Sequence, residues 1–110
     1  MPTLKEIRII KQEVRDPHCR LPAIFNAVGD HNRCALFKAI IRHDNLCVSD
    51  MAKILNISIP AASQHLKLMD EAHLLIKKRR GAGIYYKANN SDPVVAAVVE
   101  IIKRELKLNY

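Results

Sequence analysis

The chain has 110 residues, 49% of them hydrophobic, and a formal net charge of +7; that length supports one compact core and excludes a pair of independent domains. The positive excess favours a polyanionic partner, because clustered Lys and Arg attract phosphates at long range. No apolar stretch reaches the roughly 18 residues needed to span a bilayer, and the N-terminal MPTLKEIRIIKQEV interleaves charge where a signal peptide has a continuous apolar run, so the expected location is the cytoplasm, with no membrane partner.

Residues 3 to about 14 place Leu4, Ile7, Ile10 or Ile9, and Val14 at helical spacing, and Arg15-Asp16-Pro17 ends that helix or arm (residues 1–17). Leu21 to Val28 predicts a second short helix broken at Gly29. Asp30 then caps a third that runs through Leu36, Phe37, Ile40 and Ile41. From Cys47 to Leu55 the pattern puts Val48, Met51, Ala52 and Leu55 inward, and Asn56 suits the left-handed conformation at a helix end. Ser58 caps the next helix, Pro60 sits in its first turn, and Ala62, Leu66 and Met69 share one face.

Two short helices joined by Asn56-Ile57-Ser58 have helix-turn-helix spacing, over residues 47–72. The opposite face of the second helix offers Ile59, Pro60, Ser63, Gln64 and Lys67, small or polar side chains that fit a major groove. Gln64 is the best base reader, since its amide can pair bidentately with adenine. On any isolated helix such residues would simply form a solvated face; the segment C-terminal to this helix changes the balance. Residues 74–88 read as a β-hairpin around Gly81-Ala82-Gly83, carrying the cations Lys77, Lys78, Arg79 and Arg80, which is a basic wing able to clamp phosphates. Tyr85 and Tyr86 divide by strand alternation, one inward and one outward. Asp92-Pro93 opens a last helix, residues 92–108, whose Val94, Val95, Val98, Val99, Ile101, Ile102 and Leu106 cover more circumference than one core stripe needs, so it is expected to pair with a second subunit, assisted by the first helix.

The predicted fold is mainly α with a small β-hairpin: a single winged helix-turn-helix domain over residues 1–110 with a helical dimer interface. Nothing supplies a Gly-rich phosphate loop, a convergent carboxylate pair or a positioned Cys–His dyad, so no enzyme is expected. A winged-helix protein–protein module without DNA reading or a sensing site is the alternative, and the basic wing argues against it. Three cysteines, Cys19, Cys34 and Cys47, are an odd number with wide spacing, which is neither a disulfide framework nor a two-pair zinc module, so reduced thiols are expected. Cys34, among apolar neighbours, is expected in the core.

The run NLCVSDMAKILNISIPAASQHLKLMDEAHLLIKKRRGAGIYYKANNSD, preceded by AIFNAVGDHNRCALFKAI, resembles the DNA-binding core of the ArsR/SmtB family of metal- or stress-responsive repressors. The resemblance implies a homodimeric repressor of an inverted-repeat operator in double-stranded DNA, read by Ser58, Ile59, Ser63 and Gln64 with Lys77 to Arg80 on the wing. It also implies that His65 packs and hydrogen-bonds, and that His73, standing where the family usually has glycine, takes a positive φ. Family metal sites do not carry over intact. The Cys-Val-Cys pair of arsenic- and cadmium-type members is here Cys47-Val48-Ser49, with Ala52 a turn later. Zinc-type positions hold Asn90, Asp92, Lys103 and Leu106, one carboxylate of four ligands. The cofactor therefore stays open, with a thiophilic ion as one candidate. Cys47, at a helix N-cap that favours a thiolate, is a redox or metal candidate, and His18 with Cys19 could join it across a subunit interface.

Overall fold

The structure, a computed structural model, describes residues 1–108; Asn109 and Tyr110 of the expected domain lie outside the described residues. Six helices and one hairpin follow in the order α1 (Leu4–Val14), α2 (Leu21–Val28), α3 (His31–Arg42), α4 (Val48–Leu55), α5 (Ile59–Glu71), β1 (Leu75–Arg80), β2 (Gly83–Ala88) and α6 (Pro93–Leu108). Side-chain caps set the starts. Thr3 Oγ1 accepts from Glu6 N–H at 3.2 Å while the Glu6 carboxylate accepts from Thr3 N–H at 3.3 Å, a reciprocal box on α1. Asp30 accepts from Arg33 N–H at 3.1 Å, Ser58 Oγ from Ala61 N–H at 3.2 Å, and Asp92 Oδ1 from Val94 N–H at 2.9 Å.

The two helices of the helix-turn-helix end in the same way. Asn56 (φ 54°) and His73 (φ 61°) are left-handed, and the next residue's N–H reaches back five residues, Ile57 to Ala52 O at 3.0 Å and Leu74 to Met69 O at 3.1 Å. This is the Schellman closure, which satisfies carbonyls that a helix end leaves unpaired. Its apolar partner is present on α5, since Met69 and Leu74 are both fully buried.

One core gathers Ile24 of α2, Leu36 and Phe37 of α3, Met51 of α4, Leu66 and Met69 of α5, Leu74, and Val95 of α6, each of them fully buried. With their buried neighbours they recur at three- and four-residue steps, Ile24 with Ala27, Leu36 and Phe37 with Ile40, Ala62 with Leu66 and Met69, and Val95 with Val98, Val99 and Ile102, because each helix turns one stripe inward. β1 and β2 pair antiparallel from Leu75↔Ala88 to Arg80↔Gly83, so Gly81-Ala82 is a two-residue turn. Gly81 has φ +59° and Ala82 is not left-handed, the φ signature of a type II′ hairpin, which takes glycine first.

Two expectations change. Among the side chains described, the apolar surplus expected on α6 for a partner is largely absent, because Val95, Val98, Val99 and Ile102 are buried in their own chain and Val94 and Leu106 are half-buried, leaving Ile101 exposed at 60%. The surplus lies on α1, which buries none of its residues and leaves Leu4 and Val14 at 81% and 75% exposure. Cys34 is half-buried rather than in the core, because it sits on the flank of α3 while Leu36, Phe37 and Ile40 face inward.

Candidate nucleic-acid interface

α5 is held by its buried row Ala62, Leu66 and Met69, and the helical period then fixes what the opposite side presents. Ser58, Ile59, Pro60, Ser63, Gln64 and Lys67 are all exposed. Positions 60, 63, 64 and 67 share one face, so these six residues form one continuous strip at the N-terminal half of α5. Among the described residues, Ser63, Gln64 and Lys67 commit no side-chain polar group to a hydrogen bond or ion pair within the chain, which leaves those groups open to a partner.

The hairpin follows α5 after the His73 turn and lies beside it. Ser63, Lys67 and Asp70 of α5 line one wall of a cleft of about 360 Å³, and Lys77 and Tyr86 of the hairpin line the other. Lys77, Lys78, Arg79 and Arg80 are exposed, as expected, but they are not equivalent. Lys77 Nζ lies 3.5 Å from Asp70 Oδ2, so this cation is turned back toward α5. Arg80 places its guanidinium over the Tyr85 ring, 5.8 Å from the centroid, a cation–π arrangement near the hairpin tip. Tyr86 packs against the core while Tyr85, on the other face, is also half-buried rather than fully outward.

Asp70 is absent from the sequence-based set, although a signal exists for it. A carboxylate in the last turn of a helix opposes the helix dipole and calls for a nearby cation. Arg33 carries no local signal at all. Its Nε donates to Ala27 O at 2.8 Å, its Nη2 to Asn26 O at 3.1 Å, and its Nη1 to Nδ1 of His65 at 3.4 Å. One guanidinium thus ties the end of α2 to the middle of α5, and His65 serves as a hydrogen-bonding residue. The Arg33 N–H also holds the Asp30 carboxyl below its ordinary range.

The sensor candidates sit apart. Cys47 caps α4 with its backbone N–H donating to Asp50 Oδ2 at 3.1 Å and its Sγ donating to the same oxygen at 3.1 Å, a role that a thiolate cannot fill. Those two bonds, the backbone one first, hold the Asp50 carboxyl below its usual value. Ser49 Oγ lies 3.0 Å from the sulfur. His18 and Cys19 are exposed between α1 and α2. Among the described residues no three His, Cys, Asp or Glu side chains gather in a metal-holding group, so one chain does not unite His18, Cys19 and Cys47. Asp92, the single carboxylate at the zinc-type positions, is bound to Arg20.

Comparison with known proteins fits this geometry. A family model described as bacterial regulatory protein, arsR family, matches residues 30–77. The chain is 32% identical to the arsenic resistance transcriptional regulator ArsR1 of Pseudomonas putida over 66% of this chain, spanning 56% of that protein's length. It is 30% identical to ArsR2 of the same organism over 80% of this chain and 75% of the relative. A homodimeric winged helix-turn-helix DNA-binding domain from Mycobacterium bovis superposes with a TM-score of 0.66 at 13% identity, covering 97% of this chain and 89% of that one, a likeness of fold. Among the described residues no helix is long and apolar enough to cross a membrane.

Proposed function

Because the chain belongs to the arsR family of bacterial regulatory proteins, a family of transcriptional regulators rather than enzymes, we propose that it acts in the cytoplasm as a homodimeric repressor that binds an inverted-repeat operator. The observation that carries this reading is the adjacency of two surfaces. The exposed strip of α5 and the cationic hairpin share one cleft, so a duplex whose major groove takes α5 meets the wing at its flanking phosphates. Ser58, Ile59, Pro60, Ser63 and Gln64 would approach base edges and the sugar-phosphate rim, with Gln64 the adenine reader. Lys67, Lys78, Arg79 and Arg80 would neutralise phosphates, and Lys77 would join them on leaving Asp70. The dimer would be closed by the apolar row of α1 together with Ile101 of α6, which are exposed among the described residues.

In this reading the single domain spans residues 1–110, and a metal, oxidant or other stress signal releases the operator by favouring a dimer geometry in which the two α5 helices no longer match successive grooves. Cys47 would be the entry point for a thiol-reactive agent or soft metal, joined by His18 and Cys19 only across the subunit interface.

The test is binding of the purified protein to its own upstream DNA, measured by fluorescence anisotropy and footprinting across a salt series. Two protected half-sites about one helical turn apart and affinity falling steeply with salt are expected. Equal affinity for the upstream DNA and a scrambled duplex would sink the operator reading.

A further inference from the structure

A cavity of about 190 Å³ opens on the side of the molecule where α3, β2 and α6 meet. Its floor is apolar, built by Ile41 at the end of α3 and Ala88 at the end of β2, both half-buried, above the buried Ile40 and Val99. Its rim carries Asp44, Lys87, Asn90 and Lys103. The two ammonium groups are only loosely engaged. Lys87 Nζ stands 3.9 Å from Asp44 and Lys103 Nζ stands 4.0 Å from Glu100, both at the outer limit of an ion pair. In each pair the lysine is the less exposed member, 39% against 66% and 50% against 63%. Asp44 shares the rim with Lys87, whereas Glu100 lies off it, so the rim carries two cations against one carboxylate over an apolar floor.

We propose that this cavity binds a small organic monocarboxylate, its carboxylate between Lys87 and Lys103 with the Asn90 amide as a further donor, and its apolar body against Ile41 and Ala88. Both halves of that chemistry are needed to satisfy the site. An inorganic anion would leave the floor wet, and an uncharged apolar molecule would leave two cations without a shared partner. The volume of about 190 Å³ suits a small occupant, since drug-sized ligands take about 300–1,000 Å³. The walls belong to the strand that carries the wing and to the last helix, so an occupant would fix one against the other. This site is independent of the DNA-reading surface, and its test does not use DNA.

The probe is benzoate, titrated into the full chain and followed by amide NMR signals. Saturable shifts at Ile40, Lys87 and Val99 are expected in the millimolar range. Lys103→Gln and Lys87→Gln are each expected to weaken benzoate about tenfold, equivalent to about 1.4 kcal/mol, while Lys5→Gln on the distant α1 leaves it unchanged. If Lys87→Gln fails to fold, Lys103→Gln on the exposed flank of α6 decides the matter. Sulfate producing the same shifts with the same affinity would overturn the organic part of the proposal. Absence of saturable shifts, or equal affinity in Lys103→Gln, would overturn the site.

Discussion

Arg20 and Asp92, 72 residues apart, meet in a two-point ion pair, Nη1 to Oδ2 at 2.5 Å and Nη2 to Oδ1 at 2.9 Å. The same carboxylate caps α6 by accepting from Val94 N–H at 2.9 Å. One side chain thus closes the loop ahead of α2 onto the start of the last helix. The Arg20 side chain first, then the backbone donors, hold the Asp92 carboxyl down at about 2.

That shift sets an acid sensitivity of definite sign. A carboxylate whose folded pKa is depressed stabilises the fold above its ordinary value of 3.8, and the contribution is lost as pH falls through about 2. Asp30 and Asp50, also held low, act in the same direction. Urea midpoints of the wild type and Asp92→Asn, compared at a series of pH values, are expected to differ by a constant amount from pH 7 to about 5 and to converge between about pH 4 and 2. Arg20→Gln and Asp92→Asn should be non-additive, because each removes the same pair.

His73 supplies a second prediction. Its φ of 61° costs a residue with a Cβ about 1–2 kcal/mol, and its side chain is exposed. Glycine removes that strain but has more freedom to lose on folding, about 0.5–1 kcal/mol. His73→Gly is therefore expected to stabilise the protein by about 0.5–1 kcal/mol in a denaturation curve with an unchanged slope. A lower midpoint would show that the imidazole does more than occupy the turn.

Base reading and phosphate binding separate in mutants. Gln64→Ala should cost about 1–3 kcal/mol on the preferred operator and little on random duplex, flattening discrimination at one base pair of each half-site. Lys78→Gln and Arg79→Gln should weaken all sequences alike and each reduce the salt slope by about 1. Lys77→Gln is expected to change the slope less, since Asp70 already neutralises that charge in the free protein.

At Cys47 the hydrogen bonds predict a contrast between two substitutions. Serine can cap α4 and donate to Asp50 as the thiol does, so Cys47→Ser keeps the midpoint of unfolding. Cys47→Ala removes the cap and should lose about 0.5–2 kcal/mol. Measuring DNA release by oxidant or soft metal in the well-folded serine variant then isolates the sensor role; release identical to wild type would remove Cys47 from it.

The helices, their caps and the wing are legible in the sequence because each is written locally. Asp30, Ser58 and Asp92-Pro93 mark starts, the rows of Leu36, Phe37 and Ile40 and of Ala62, Leu66 and Met69 mark inward faces, and Gly81 marks the turn. The exposed strip of α5 follows from that periodicity alone. Pairings across the fold are not legible. Arg20 with Asp92, Arg33 with His65, and Lys77 with Asp70 depend on which elements become neighbours, and no periodicity encodes that. The distribution of apolar surface between α1 and α6 escapes the sequence for a related reason. Hydrophobic circumference tells how much a helix must hide, not whether its own chain or another hides it.

α1 has a well-made N-terminal box, eleven residues and nothing buried. A helix shorter than about 12–15 residues is marginal in water when it packs against nothing. Its hydrogen-bonded ladder therefore draws its persistence from whatever covers Leu4, Ile7 and Val14. In the dimer reading, dilution acts on α1 as a denaturant that spares the core, and the amount of protein present becomes a variable that the N-terminal segment registers by coiling or uncoiling.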